Sequence, residues 1–166
     1  MLQDKISNWI KTYAKEHNRR SLVVGISGGI DSSVVSTLCA MTKMPTIAVS
    51  MPINQIESQH DLSMDHGNWL ENKFNNVTHE VIDLDGVYEK FWLKTFNEYG
   101  GEHAFANTKS RLRMVTLHQI SGAKKGIVVG TGNKVEDFGV GFYTKYGDGG
   151  VYISPLAVLL KSEVWK

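Results

Sequence analysis

The sequence predicts an α/β fold, an open parallel sheet with helices on both faces, and three observations carry that prediction. Short apolar runs rich in β-branched residues occur at Ser21 to Ile26, Thr46 to Met51, Val77 to Ile82 and Ile127 to Gly130. Longer segments with helical spacing separate them, and a glycine-rich loop follows the first run. Buried strands alternating with helices make βαβ units, which pack as a parallel sheet covered on both sides. Ligands of such sheets bind beyond the carboxyl ends of the strands.

Leu2, Ile6, Trp9, Ile10 and Tyr13 recur at helical spacing, which predicts an amphipathic helix to about residue 16. The first strand follows, and Ser32 to Met41, free of Gly and Pro, reads as the second helix. After the second strand, Leu62, Trp69, Leu70 and Phe74 place a helix over His60 to Phe74, with Gly67 as a weak point. Beyond the third strand, Val87, Phe91 and Phe96 mark a helix over Leu84 to Tyr99, closed by Gly100-Gly101. Asn107 is expected to cap a helix that runs to about Ser121 and stops at Gly122. The fourth strand then leads into a glycine-rich stretch, Gly130 to Gly150, long enough to be functional or mobile.

At 166 residues and 42% hydrophobic, the chain suits one domain over residues 1–166. Eighteen Lys and Arg against 17 Asp and Glu leave a net charge of +1, so no global field attracts nucleic acid or an anionic membrane. No apolar run reaches the ~18 residues that span a bilayer, and Met1 to Lys5 lacks a signal-peptide layout, so a soluble, cytoplasmic protein is expected. Cys39, the single cysteine, can form no internal disulfide and begins no zinc motif, and is expected as a buried helix residue.

Gly25-Ile26-Ser27-Gly28-Gly29-Ile30-Asp31-Ser32 stands between a strand and a helix start, where free N–H groups and the helix dipole favour phosphate. The paired glycines let phosphate oxygens approach the backbone, and Ser27 and Ser32 offer hydroxyl donors. Asp31 would repel phosphate unless a cation lay between them, which makes it a candidate Mg²⁺ ligand. The loop is neither a Walker A loop nor a GxGxxG fingerprint. The bland alternative is an ordinary turn in which Asp31 or Ser32 caps the helix.

The loop resembles the SGGxDS loop of the ATP pyrophosphatase superfamily, which implies a Rossmann-like fold and cleavage of ATP between its α- and β-phosphates. Three further segments narrow the resemblance to the ammonia-dependent NAD synthetases: Asn107-Thr108-Lys109-Ser110-Arg111-Leu112-Arg113-Met114, Gly130 to Glu136, and Phe142-Tyr143-Thr144-Lys145-Tyr146-Gly147-Asp148-Gly149-Gly150. Ser154-Pro155 and Lys161 match that family's proline turn and its phosphate-contacting lysine. The resemblance implies that residues 25–32 (Gly25, Ile26, Ser27, Gly28, Gly29, Ile30, Asp31, Ser32), Thr131 and Lys161 bind ATP. It further implies that Asp31 and Glu136 bind Mg²⁺, that Arg113 and Lys145 contact deamido-NAD, and that Asp31, Lys161 and Asp148 serve catalysis. Tyr152 stands where the family carries a substrate-contacting aspartate. The reaction implied is adenylation of deamido-NAD followed by displacement of AMP by ammonia, in a homodimer with a shared substrate site. Relatives continue for several helices beyond Lys166, so a chain truncated at its C-terminus is expected. The competing expectations are a degenerate synthetase that binds ATP or a partner without turnover, and a different ATP pyrophosphatase acting on tRNA.

Overall fold

The computed structural model describes residues 1–54 and 57–166. Four strands, β1 (Ser21–Ile26), β2 (Thr46–Ser50), β3 (Val77–Val81) and β4 (Gly126–Val128), form one sheet in the order β3-β2-β1-β4. Every pairing is parallel, with Leu22 opposite both Thr46 and Ile127, and Thr46 in turn opposite Val77. The helices are α1 (Leu2–Glu16), α2 (Ile30–Met41), α3 (Glu57–Lys73), α4 (Asp85–Tyr99), α5 (Glu102–Ala123) and the single turn α6 (Lys161–Val164). The α/β class with a doubly covered parallel sheet is therefore the observed architecture.

Strand alternation sorts the core into two layers. Leu22, Val24 and Ile26 of β1 face one side with Ala48 and Ile127, and there they meet Ile10 of α1, Val35 of α2 and Leu70 of α3. Val23, Ile47, Val49 and Val128 face the other side and meet Leu84, which caps α4, Tyr88 of α4, and Met114 and Leu117 of α5. β1 is buried along nearly its whole length, as a central parallel strand must be. Cys39 lies in the first layer, fully buried, and burial pushes its thiol pKa far up, so it is packing material rather than a nucleophile.

Three expectations need correction. Asn107 does not cap a helix; α5 begins five residues earlier, directly after Gly101, whose φ of 152° breaks the chain direction between α4 and α5. The Asn107 side chain instead accepts a hydrogen bond from the Thr144 hydroxyl at 2.7 Å, so its polarity serves a tertiary contact. Gly67 does not weaken α3, because a Cβ there would collide with the ring of His79, and the glycine is what lets helix and strand approach. The fourth strand ends at Val128 rather than Gly130; Val129 makes an isolated parallel bridge to Ile153, where a new segment joins the edge.

The chain order of the strands reverses at β1, since β2 and β3 lie on one side of it and β4 on the other. The loops after β1 and β4 diverge there and leave a crevice at the carboxyl edge of the sheet.

Candidate functional site

That crevice is a cavity of about 640 Å³, floored by Gly25 to Gly29 and walled by Met51, Arg113, Met114 and Thr131. Gly28 takes φ +84° to turn the chain from β1 into α2, and α3 packs against it so closely that a Cβ would lie 2.8 Å from the Gln59 carbonyl oxygen. Both demands are met by glycine alone.

The N-terminus of α2 opens onto this cavity. Its N-cap is Gly29, without a side-chain cap, so neither Asp31 nor Ser32 caps the helix. Ser32 turns back to the loop: its hydroxyl donates to the Gly29 carbonyl at 2.9 Å and accepts the Ser27 N–H at 3.2 Å. Free N–H groups at a helix start, with the dipole behind them, make an anion site.

Beside it stands a charge cluster assembled from three distant segments. Lys161, at the start of α6, donates from Nζ to Asp31 Oδ2 and to Glu136 Oε1, the latter at 3.1 Å. Glu136 sits on a π-helical turn, Val135–Gly139. Burial alone would lower the Lys161 pKa; the bonds to Asp31 and Glu136 outweigh it and raise the pKa. Asp137 is pushed upward, first by burial and then by the charges of Asp148, Glu136 and Asp31. Asp31 and Glu136 thus converge on one positive group, and Asp31 Oδ1 is buried without a partner among the described residues. Two carboxylates that already meet around one cation, with a spare oxygen, suit a divalent metal carrying phosphate.

The opposite wall is α5 with the loop that follows the π-helical turn. Ser110 donates to Asp148 Oδ1 at 2.9 Å and accepts the Asp148 N–H at 2.9 Å, while the Thr144 N–H reaches the same Oδ1 at 2.8 Å. Arg111 Nε binds the Lys145 carbonyl at 3.1 Å. Asp148 therefore lines the cavity and also ties the loop down. Arg113 Nε donates to the Met51 carbonyl at 2.9 Å, and burial lowers its pKa. Bound at one nitrogen, it keeps donors for a ligand.

Of the residues singled out in the sequence, the structure brings Gly25 to Ser32, Arg113, Thr131, Glu136, Asp148 and Lys161 to one end of the sheet. Lys145 and Tyr152 are not brought into the cavity. Lys145 Nζ lies 5.1 Å above the Tyr146 ring, and Tyr152 packs against His118 beneath the Arg19 guanidinium. The sequence reading missed Asn133, Asp137 and the anchoring role of Ser110. Asn133 and Ser110 fall inside segments singled out there, and Asp137 directly follows one, but nothing in their spacing separates them from their neighbours.

Among the described residues, no helix is long and apolar enough to cross a membrane. The family model described as NAD synthase matches residues 2–166. The NH(3)-dependent NAD(+) synthetase of Carboxydothermus hydrogenoformans is 36% identical over 168 residues, covering 98% of this chain and 66% of that protein. The protein of the same name from Alkaliphilus metalliredigens is 35% identical, covering the whole chain and 69% of its own length. In structure, the NMN synthetase of Francisella tularensis superposes with a TM-score of 0.89 at 32% identity, over 99% of this chain and 66% of that one. The NH3-dependent NAD synthetase of Campylobacter jejuni gives 0.88 at 29% identity, over 99% and 69%. The chain thus spans about two thirds of the length of the relatives it matches. With the glycine loop, the open helix start and the carboxylate pair all in place, the chain belongs to the NAD synthase family.

Proposed function

We propose that this chain is the single ATP-binding domain of a cytoplasmic, ammonia-dependent NAD synthetase, which converts deamido-NAD to NAD with release of AMP and pyrophosphate. The observation that carries the reading is the convergence of the uncapped α2 start with Asp31, Glu136 and Lys161 at the switch point of the sheet.

In this reading residues 25–32 and Thr131 hold the triphosphate, with the pyrophosphate end on the α2 N–H groups. The nicotinate carboxylate attacks the α-phosphorus, the bond to the β-phosphate oxygen breaks, and pyrophosphate leaves with the charge. Ammonia then attacks the acyl carbon of the adenylate, loses a proton, and expels AMP. Asp31 and Glu136 hold Mg²⁺, which offsets phosphate charge when bound. Lys161, with a flexible stem and a part-exposed ammonium, reaches the α-phosphate and stabilises charge developing there. Arg113 meets the nucleotide substrate, and Asp148 keeps the loop wall closed over the reacting groups.

Lys145 and Tyr152 lie outside the cavity, which fits a substrate site completed by a second copy of the chain. Val87, Phe91 and Leu93 expose apolar surface on α4 and support a homodimer. A mononucleotide substrate is the second reading, favoured by the likeness to the Francisella protein named NMN synthetase. Incubation with ATP, Mg²⁺ and ammonia, with deamido-NAD or nicotinate mononucleotide in parallel, tests both. AMP release with one substrate identifies it. No AMP with either, while ATP still protects the fold against heat, would refute turnover and leave a nucleotide-binding module.

A further inference from the structure

Asn133 is fully buried, although it belongs to the loop between β4 and the π-helical turn. Its Oδ1 accepts two backbone hydrogen bonds, from the N–H of Val135 at 3.0 Å and from the N–H of Glu136 at 3.1 Å. Its main-chain carbonyl accepts the Asp137 N–H at 2.9 Å. One residue thus fixes the direction of the next four, and Glu136 is among them. An Asx-type side-chain bond of this kind sets local backbone geometry more firmly than a turn alone.

The turn it starts is unusual. Val140 N–H bonds to the Val135 carbonyl at 2.9 Å, five residues back, which widens the helix into a π-turn, a rare geometry that recurs at functional sites. Lys134 N–H bonds to the Leu159 carbonyl at 3.0 Å and so ties the loop to the segment that enters α6 and Lys161. Glu136 and Lys161 then meet at 3.1 Å from neighbouring anchors.

The two halves of this carboxamide are used unequally. Asn133 Nδ2 is buried and has no acceptor among the described residues, a cost set against the two bonds that Oδ1 accepts. The gain lies in the oxygen, and what the oxygen controls is the path of the backbone into Glu136. We propose that Asn133 is a positioning residue that aims the Glu136 carboxylate at the divalent cation it shares with Asp31. This rests on the assignment of Asp31 and Glu136 as cation ligands.

The test uses the full 166-residue chain with a non-hydrolysable ATP analogue and Mn²⁺ as the probe, free Mn²⁺ being read by electron paramagnetic resonance. Asn133→Ala weakens Mn²⁺ binding by roughly 10- to 100-fold, the range for residues that orient metal ligands. Asn133→Asp keeps the oxygen acceptor, loses the idle Nδ2 donor, and recovers most of the lost affinity. Asn76→Ala is the structural control: Asn76 Nδ2 bonds to the Ala40 and Met44 carbonyls, remote from the cluster, so its loss lowers Tm and leaves Mn²⁺ affinity alone. Asn133→Ser, able to accept one bond in place of two, gives an intermediate loss and serves if the alanine variant does not fold. A folded Asn133→Ala with wild-type Mn²⁺ affinity overturns the proposal, as does Asn133→Asp binding no better than the alanine variant. If the wild type binds no Mn²⁺ and Glu136→Gln behaves identically, the cation assignment falls first and the proposal falls with it.

Discussion

Replacing Gly28 by alanine separates the two jobs of the first loop, because its neighbour Gly29 has only one of them. Gly28 holds φ +84°, a conformation that costs an L-residue about 1–2 kcal/mol. Its Cβ would also lie 2.8 Å from Gln59 O, 3.0 Å from Leu62 Cβ and 3.2 Å from Ser63 N. Those are backbone and near-backbone atoms of α3, which cannot swing aside as a side-chain tip can, and overpacking of this kind costs about 1–3 kcal/mol. Together the terms reach about 2–5 kcal/mol, and at about 2–4 °C per kcal/mol for a chain of this size the melting temperature falls by roughly 4–20 °C. Gly29 has φ −84° and ψ 156°, and its Cβ would meet only Ser27 Oγ, at 3.4 Å. Alanine there loses a little as an N-cap and gains a little in chain entropy, so stability stays within about 1 kcal/mol. Differential scanning calorimetry with and without ATP and Mg²⁺ reads both effects. Gly28→Ala melts early, whereas Gly29→Ala melts near the wild type but loses much of the upshift given by ATP. Equal melting temperatures for Gly28→Ala and the wild type would refute the claim that α3 rests on this loop.

Three further outcomes follow from the same structure. His66 and His79 both have lowered pKa values, chiefly through burial, with His79 adding repulsion at His66 and Glu71 partly opposing the shift at His79. Because the folded values lie below the ordinary 6.5, their stabilisation is complete above that pH and is lost as pH falls through the lowered values. Urea midpoints should fall between pH 7.5 and pH 5, and His66→Gln should flatten the change; a midpoint independent of pH excludes the pair. Asp148→Asn keeps the oxygen that anchors Ser110 and Thr144, so Tm should hold; turnover that also holds would restrict Asp148 to anchoring the loop. Asp31→Asn should leave the fold intact and remove the response to Mg²⁺, measured as the metal-dependent part of ATP protection, and an unchanged response would take Asp31 out of the cation site.

The sheet was legible because its strands are buried on both faces, which forces the continuous β-branched runs at Ser21 to Ile26 and Thr46 to Ser50. Helix starts were less so. Asn107 has the chemistry of a cap, and only the position of Thr144, distant in sequence, shows that its oxygen is committed elsewhere. The glycine loop with its open helix start could be read from local order alone, since strand, glycines and helix are contiguous. The pairing of Asp31 with Glu136 came from the resemblance, but the place of Lys161 between them did not, because nothing local to Lys161 distinguishes it from a surface lysine. Tyr152 was expected near substrate by its place in a motif, yet its ring turns to His118 and Arg19, an arrangement fixed by α5 and the segment between α1 and β1.

The contact between Lys161 and Asp31 joins residues 130 positions apart. On a ribosome the glycine loop emerges with β1 and α2 well before its lysine is made. Domains begin to organise as they are synthesised, and contacts of such long range close late. The loop that carries Glu136 gains its anchor at Leu159 only two residues before Lys161, so the two carboxylates and their lysine come together in one late step. Dissolved cations screen Asp31 until that step, so the ionic composition around the emerging chain bears on how readily the cluster closes.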